Sequence, residues 1–110
     1  MDNGDQLLEV LAALASPHRL RILAVLHGGS THVSQLAREV GISRPLVHLH
    51  LAKLEAAGLV TGHHEVSEDG KAMRMVAVTD FALTLDPTSI AALATSISNP
   101  PASGQSKGDT

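Results

Sequence analysis

The chain has 110 residues, of which 44% are apolar, so it is long enough for one folded domain with a single hydrophobic core. It contains no cysteine, which excludes disulfides, thiolate metal sites and cysteine catalysis, and Phe81 is its only aromatic residue besides histidine. Because modules that read single strands stack bases on aromatic side chains, this composition disfavours binding to single-stranded DNA or RNA. There is no run of about 18 apolar residues and no charged leader before an apolar segment, so we expect neither a membrane span nor a signal peptide.

Charge is distributed unevenly along the chain. The net charge is −3, yet residues 17–53 hold five basic side chains against one acidic side chain. The other acidic residues lie before and after this stretch. A basic middle of this kind binds phosphates with modest electrostatic strength, although a solvated surface of mixed charge would give the same count.

The beginning of the chain predicts two helices. Residues 1–4 are expected to be flexible, and from Asp5 onward apolar residues recur at intervals of three and four, which indicates an amphipathic helix. Ser16-Pro17 predicts the start of a second helix, because serine is a favoured N-cap and proline fits the first helical turn. Gly28-Gly29 predicts the end of that helix.

Two further helices are predicted close together. A short helix over residues 33–40 should end at Gly41, a residue suited to the left-handed cap, and Ser43 should cap the next helix. Only Gly41-Ile42-Ser43 joins the two, which is typical of a helix-turn-helix, although an ordinary corner between two helices has the same features. The fourth helix should bury Val47, Leu51 and Leu54.

A β-hairpin is predicted next. Residues 59–66 and 71–78 are rich in β-branched residues and flank the turn sequence SEDG. The alternation of Phe81, Leu83 and Leu85 predicts that the second strand continues beyond residue 78.

The end of the chain predicts a fifth helix and a tail. Asp86-Pro87 indicates the helix start, and residues 99–110, rich in Pro, Gly and Ser, indicate a disordered tail. The predicted order is therefore ααααββα: one mainly α-helical domain over residues 5–98 with a β-hairpin wing.

The run from Leu14 to Val78 resembles the ArsR/SmtB family of dimeric winged-helix transcriptional regulators. The segment ASPHRLRILAVL is similar to the family's opening helix, and VSQLAREVGISRPLVHLHLAKLEAAGLV is similar to its recognition unit. The resemblance implies a winged helix-turn-helix that works as a cytoplasmic homodimer. It also implies binding to a double-stranded DNA operator and the regulation of transcription rather than an enzymatic activity.

The two histidines of RPLVHLHL face different ways on the fourth helix. With Val47 placed at 0°, His48 lies at about 100°, outside the buried seam, and His50 lies at about 300°, at its edge. His50 is expected to pack or to make a structural hydrogen bond, with a phosphate contact as the alternative. The exposed face would enter the major groove, where Arg44 donates twice to a guanine and His48 donates or accepts once. The predicted DNA contacts are Ser43, Arg44, Pro45, His48, Leu49 and Lys53 on this helix, with Lys71 and Arg74 on the wing.

Metal sensing is common in the family, but the ligand sets that the resemblance implies are missing here. One frequent site uses a Cys-x-Cys pair at the start of the third helix, where this chain has His32 and Ser34. Another uses Asp and His on the last helix, which has no histidine. All seven histidines lie between residues 18 and 64, and imidazole and carboxylate donors suit nickel or zinc. One interpretation is a nickel or zinc site with His32, His63 and His64 as candidate ligands; the other is ordinary packing or surface histidines.

The first and last helices have broad apolar faces that a monomer would leave in water, which favours a dimer. The resemblance implies the same two-fold interface. The predicted interface residues are Leu7, Leu11, Leu14, Ile90, Leu93 and Ile97.

Two other functions are kept beside the leading one. A metal-independent winged-helix regulator could take its signal from a protein co-regulator, and an interaction module could have lost DNA binding altogether. Leu49 bears on both, because the family usually has a polar residue at this position; the leucine would contact a thymine methyl or a protein partner. An enzyme is disfavoured because no nucleophile–base pairing, Gly-rich phosphate loop or paired-carboxylate pocket is evident.

Overall fold

The computed structural model describes residues 2–98, so the predicted tail lies outside the described residues. Within this range the chain forms five helices and three strands, in the predicted order with one short strand added. The helices are α1 (Gly4–Leu14), α2 (Pro17–His27), α3 (Val33–Val40), α4 (Arg44–Ala56) and α5 (Pro87–Ala94). The strands are β1 (Thr31–His32), β2 (Val60–Val66) and β3 (Ala72–Val78).

The chain divides into two compact units. Residues 9–82 form one unit, and the described part of the other comprises residues 2–8 and 83–98. The sequence predicted one domain over residues 5–98, preceded by a flexible segment. In the structure α1 begins at Gly4, and the Asn3 side chain accepts a hydrogen bond from the Gln6 amide at 2.8 Å.

Local capping chemistry sets the helix boundaries in the larger unit. Ser16 accepts a hydrogen bond from the Arg19 amide at 3.3 Å, with Pro17 as the first helical residue of α2. Ser43 accepts from the Leu46 amide at 3.4 Å and starts α4. Gly41 ends α3 with φ 80°, the left-handed conformation that glycine adopts without a side-chain clash. These starts and ends were predicted and are confirmed.

The sheet has three antiparallel strands in the order β1-β3-β2. The hairpin pairs Val60 with Val78 and Val66 with Ala72, while β1 pairs Thr31 with Val76. Sequence analysis missed β1, because two residues are too few to show an alternating pattern. The predicted extension of the second strand is wrong: β3 ends at Val78, and residues 79–85 contain no strand.

The hydrophobic core of the larger unit lies between helices α2, α3 and α4 and the sheet. Its largest fully buried side chains are Ile22, Leu26, Leu36, Val47, Leu51, Leu54, Leu59 and Val76. Among residues 2–98 no polar or charged residue is fully buried, so the core is wholly apolar. The three α4 residues in this set are those predicted to face inward.

The smaller unit joins the beginning of α1 to the end of α5. The Gly4 amide donates to Ser96 Oγ at 2.8 Å, and the Ser98 amide donates to Asp5 Oδ1 at 2.9 Å. Hydrogen bonds from the Ser98 hydroxyl and from the Ser98 amide lower the pKa of the Asp5 carboxyl below its ordinary value. At its other end α5 is closed by a capping box, in which Asp86 accepts from the Ser89 amide at 2.8 Å.

Apolar side chains of the smaller unit stay largely uncovered. None of the α5 residues is buried, and Ile90 and Ile97 are 47% and 40% exposed. Of the predicted interface residues, Leu11, Leu14 and Leu93 are half-buried, whereas Leu7 is only 6% exposed and so offers little surface to a partner. No helix among residues 2–98 has the length and apolarity needed to cross a membrane.

Candidate nucleic-acid interface

Helix α4 has one buried side and one exposed side. Val47, Leu51 and Leu54 are buried completely, and this anchors the helix to the core. The residues that were predicted to face a DNA groove are all exposed: Ser43, Arg44, Pro45, His48, Leu49 and Lys53. Because one side of α4 is fixed against the core, its opposite side is accessible to a binding partner.

Arg44 lies at the first turn of α4 and is tied to the preceding helix. Its Nη1 donates to Ser34 Oγ on α3 at 3.1 Å. A guanidinium has five N–H donors in a planar fork, so this bond leaves donors for a guanine edge or a phosphate. Ser34 therefore orients Arg44 without removing its capacity to bind.

The two α4 histidines have different environments, as the helical angles predict. His48 is exposed on the outer face, whereas His50 is half-buried and its Nδ1 accepts a hydrogen bond from Arg19 Nη1 at 3.0 Å. Burial lowers the pKa of His50, and the charges of Arg19, His18 and Lys53 lower it further. His48 therefore stays on the candidate DNA surface, and His50 belongs to a structural hydrogen bond.

Two leucines add an apolar strip to this surface. Leu49 is 56% exposed and Leu46 is 44% exposed. Sequence analysis singled out Leu49 but missed Leu46, although the same helical angles place Leu46 about 100° from the buried Val47. Exposed leucines of this kind fit the methyl groups of thymines in a major groove or an apolar surface on a protein.

The β2–β3 hairpin and the first turns of α3 and α4 enclose a polar cleft of about 570 Å³. Arg44 and His48 line its α4 side, and Lys71 and Arg74 line its hairpin side. Asp69 also lines the cleft and bonds to the hydroxyl of Ser67. The cleft thus gathers positive side chains in a protein whose net charge is negative, which suits a phosphate backbone.

Arg74 has a partner within the chain. Its Nη2 lies 2.6 Å from Glu55 Oε2 near the end of α4, and the pair lies directly over Gly62 of β2. A Cβ at Gly62 would lie 2.9 Å from Glu55 Oε2 and 3.1 Å from the Arg74 guanidinium, so any other residue there would require these two side chains to shift. Arg74 therefore links the hairpin to α4, and exposed Lys71 is the better candidate for a phosphate contact.

The histidines predicted as metal ligands do not converge in one chain. His32 caps α3, where its Nδ1 accepts from the Gln35 amide at 3.2 Å, and His63 Nε2 lies 2.7 Å from Glu65 Oε2. His64 follows His63 on β2, so its side chain points to the opposite face of the strand. Over residues 2–98 no three His, Asp or Glu side chains are placed to hold one metal ion. Within residues 2–98, His32, His63 and His64 therefore do not share one site with other ligands of a single chain.

Several known proteins resemble part of this chain. The sequence model of the bacterial regulatory protein arsR family matches residues 16–61. An uncharacterised HTH-type transcriptional regulator of Methanocaldococcus jannaschii is 38% identical over 74 residues, which cover 67% of this chain and 77% of that protein. The chain belongs to the ArsR family. It is a transcriptional regulator with a DNA-binding winged helix, in a family of regulators rather than enzymes.

Two further similarities concern a repressor and a solved structure. The HTH-type transcriptional repressor SmtB of Mycobacterium tuberculosis is 40% identical over 60 residues, which cover 54% of this chain and 44% of SmtB. This chain thus spans less than half the length of that ArsR relative. A homodimeric winged helix-turn-helix DNA-binding domain from Mycobacterium bovis superposes with a TM-score of 0.61 at 28% identity, covering 67% of this chain and 64% of that one. The β2–β3 hairpin is accordingly the wing of a winged helix.

Proposed function

We propose that this ArsR-family regulator acts in the cytoplasm as a homodimer that binds a double-stranded DNA operator through α4. The observation that supports this most directly is the division of α4, with Val47, Leu51 and Leu54 wholly buried and Arg44, His48 and Leu49 exposed. Each subunit would place one recognition helix in a major groove, and the two half-sites would lie about one helical turn apart.

Within each half-site the proposed contacts divide into two kinds. Arg44 would donate to a guanine edge, His48 would donate to or accept from a base, and Leu49 would contact a thymine methyl. Lys53 on α4 and Lys71 on the wing would neutralise phosphates, which fixes position without reading sequence. Ser43 and Pro45 would lie at the backbone where α4 enters the groove.

Two observations support the homodimer: exposed apolar residues in α5 and in the segment that follows it, and the solved structure from M. bovis. Ile90 and Ile97 have no cover within the described chain that takes them out of water, and that solved neighbour is described as homodimeric. A second copy would bury both isoleucines. Leu11, Leu14 and Leu93, each half-buried, would lie at the margin of such an interface.

A response to nickel or zinc stays a prediction. Because one chain brings no three suitable ligands together between residues 2 and 98, no step of the proposed DNA recognition depends on a metal. The test is to repeat the DNA titration with excess chelator, with nickel and with zinc. A tenfold shift in affinity, about 1.4 kcal/mol of coupling, would establish metal sensing.

The DNA proposal is tested by fluorescence anisotropy on labelled DNA from the region upstream of the gene. The label belongs on the DNA, since the chain has no Trp or Tyr. We expect Arg44→Ala to cost about 1–3 kcal/mol of binding free energy and to relax specificity at one base pair, and Lys53→Ala to lower the salt slope by about one. Arg21→Ala is the matched control, because Arg21 is an exposed arginine on α2, outside this surface.

Two outcomes would contradict the proposal, and a third would favour one of its alternatives. Negligible wild-type binding at low salt would favour an interaction module, with Leu46 and Leu49 as the surface for a protein partner. Wild-type binding that the Arg44→Ala and Lys53→Ala pair leaves unchanged would show that α4 is not the element that reads DNA. Binding that appears only when a second protein is added would favour the co-regulator alternative.

A further inference from the structure

Carbonyl groups in the last turn of α1 lack their usual backbone N–H donors. The carbonyl of Ala13 would normally bond to the amide four residues later, but that residue is Pro17, which has no N–H. The Ser16 amide bonds to Leu14 instead of Ala12, and Ala12 receives only a 3.3 Å bond from the Ala15 amide.

Arg19 supplies the missing donors. Its Nε donates to the Ala13 carbonyl at 2.6 Å and its Nη2 donates to the Ala12 carbonyl at 3.2 Å. A positive guanidinium at the C-terminal end of a helix is also favoured by the helix dipole. Arg19 thus closes α1 from the neighbouring helix α2.

The third arm of the same guanidinium reaches the recognition helix. Arg19 Nη1 lies 3.0 Å from His50 Nδ1. Because a guanidinium has donors only, this hydrogen bond requires a lone pair on Nδ1, so His50 is neutral and holds its proton on Nε2. His50 is half-buried and immediately follows Leu49, which lies on the exposed side of α4. The bond to Arg19 therefore fixes the helix next to its proposed DNA-facing residues.

The surroundings oppose a positive charge on His50. The His18 ring lies 5.5 Å from the His50 ring and its buried Nδ1 has no hydrogen-bond partner among the described residues. On α4 itself Lys53 is a nearby cation, and the acidic Glu9 of α1 lines a cleft together with Arg19 and Lys53. Burial and the three basic neighbours lower the pKa of His50.

We propose that Arg19 and His50 are positioning residues for DNA recognition: Arg19 holds α4 to the end of α1 through neutral His50. Loss of this bond, by protonation or by substitution, weakens DNA binding although neither residue contacts DNA. The inference rests on the proposed DNA-binding function and adds two residues outside its contact surface.

Substitutions that separate the hydrogen bond from packing provide the first test. At pH 7.5, His50→Gln keeps an acceptor for Arg19 and should bind operator DNA within about twofold of wild type, whereas His50→Leu removes the acceptor and should bind about tenfold more weakly. Arg19→Lys keeps the positive charge but not the three N–H donors in the geometry of the guanidinium fork. Its affinity for operator DNA should lie between those of His50→Gln and His50→Leu. His27→Gln on α2 is the control for loss of an exposed histidine, and circular dichroism verifies that each variant is folded.

The pH dependence provides a second readout that packing alone would not change. A histidine whose pKa in the folded protein lies below its ordinary value of 6.5 keeps the bond at pH 7 to 8 and loses it as the pH falls through that lowered pKa. The ratio of wild-type to His50→Gln dissociation constants should therefore rise below pH 6.5. His48 is present in both proteins, so its contribution cancels in this ratio.

Three results would overturn the inference and leave the proposed function in place. A folded His50→Leu that binds as tightly as wild type, even with a lower melting temperature, would reduce the pair to a purely structural role. The same would follow if wild type and His50→Gln gave one pH profile, or if a long-range ¹H–¹⁵N spectrum placed the His50 proton on Nδ1. Wild-type protein that binds no operator DNA would instead overturn the proposed function together with this inference.

Discussion

Helices α4 and α5 differ in where their apolar residues are covered. The buried α4 residues Val47, Leu51 and Leu54 have no exposed surface at all, whereas no residue of α5 is buried and Ile90 is 47% exposed. The winged-helix unit therefore completes its own core within one chain. The α5 residues instead keep apolar surface that stays exposed among residues 2–98, so an amphipathic pattern does not tell which part of the molecule, or which molecule, will cover a helix face.

The largest expected effect is the loss of stability caused by a substitution in α4. Leu51→Ala removes a completely buried side chain and should lower the free energy of unfolding by about 2–5 kcal/mol, through lost burial and a residual cavity. Ile90→Ala should cost less than about 1 kcal/mol in protein dilute enough to be monomeric. Urea denaturation followed by circular dichroism measures both, and an Ile90→Ala cost equal to that of Leu51→Ala would contradict the comparison.

A second, intermediate effect concerns assembly. Ile90→Asp places a charge in the proposed interface, so the folded chain should sediment as a monomer. Its affinity for DNA with two half-sites should fall by about 100-fold, because the second half-site no longer adds avidity, while affinity for a single half-site should hold. Leu20→Asp is the control, since Leu20 is 52% exposed on α2, outside the proposed interface. A dimeric Ile90→Asp protein would place the interface elsewhere.

The smallest expected effect distinguishes the roles of the two basic residues of the wing, Lys71 and Arg74, in DNA binding. Lys71→Ala should lower the salt slope of DNA binding by about one, as expected for a phosphate contact. Arg74→Ala should change affinity by less than about fivefold without changing the slope, because Arg74 is paired with Glu55 near the end of α4. Glu55→Gln should reproduce the Arg74→Ala result although it removes no positive charge. If Arg74→Ala lowers the slope and Glu55→Gln does nothing, Arg74 contacts DNA directly.

The helix boundaries and the buried side of α4 were predictable because their causes are local. Ser16, Ser43 and Asp86 cap the residues that directly follow them, and Gly41 takes a backbone conformation that few other residues adopt. The 3.6-residue period then decides which α4 side chains face inward, and from it follow an outward His48 and a His50 at the edge of the buried side.

Other features depend on atoms far apart in the sequence, and only the tertiary structure decided them. Strand β1 exists because Thr31 meets Val76, and Arg74 is paired because the hairpin brings it to Glu55 across Gly62. His32, a candidate metal ligand by sequence, caps α3. Arg19 reaches His50 over 31 positions of the chain. The sequence by itself thus determined where helices start, stop and turn inward, since neighbouring residues suffice for that; the partners of charged and polar side chains were decided by packing, which alone brings distant residues within hydrogen-bonding distance.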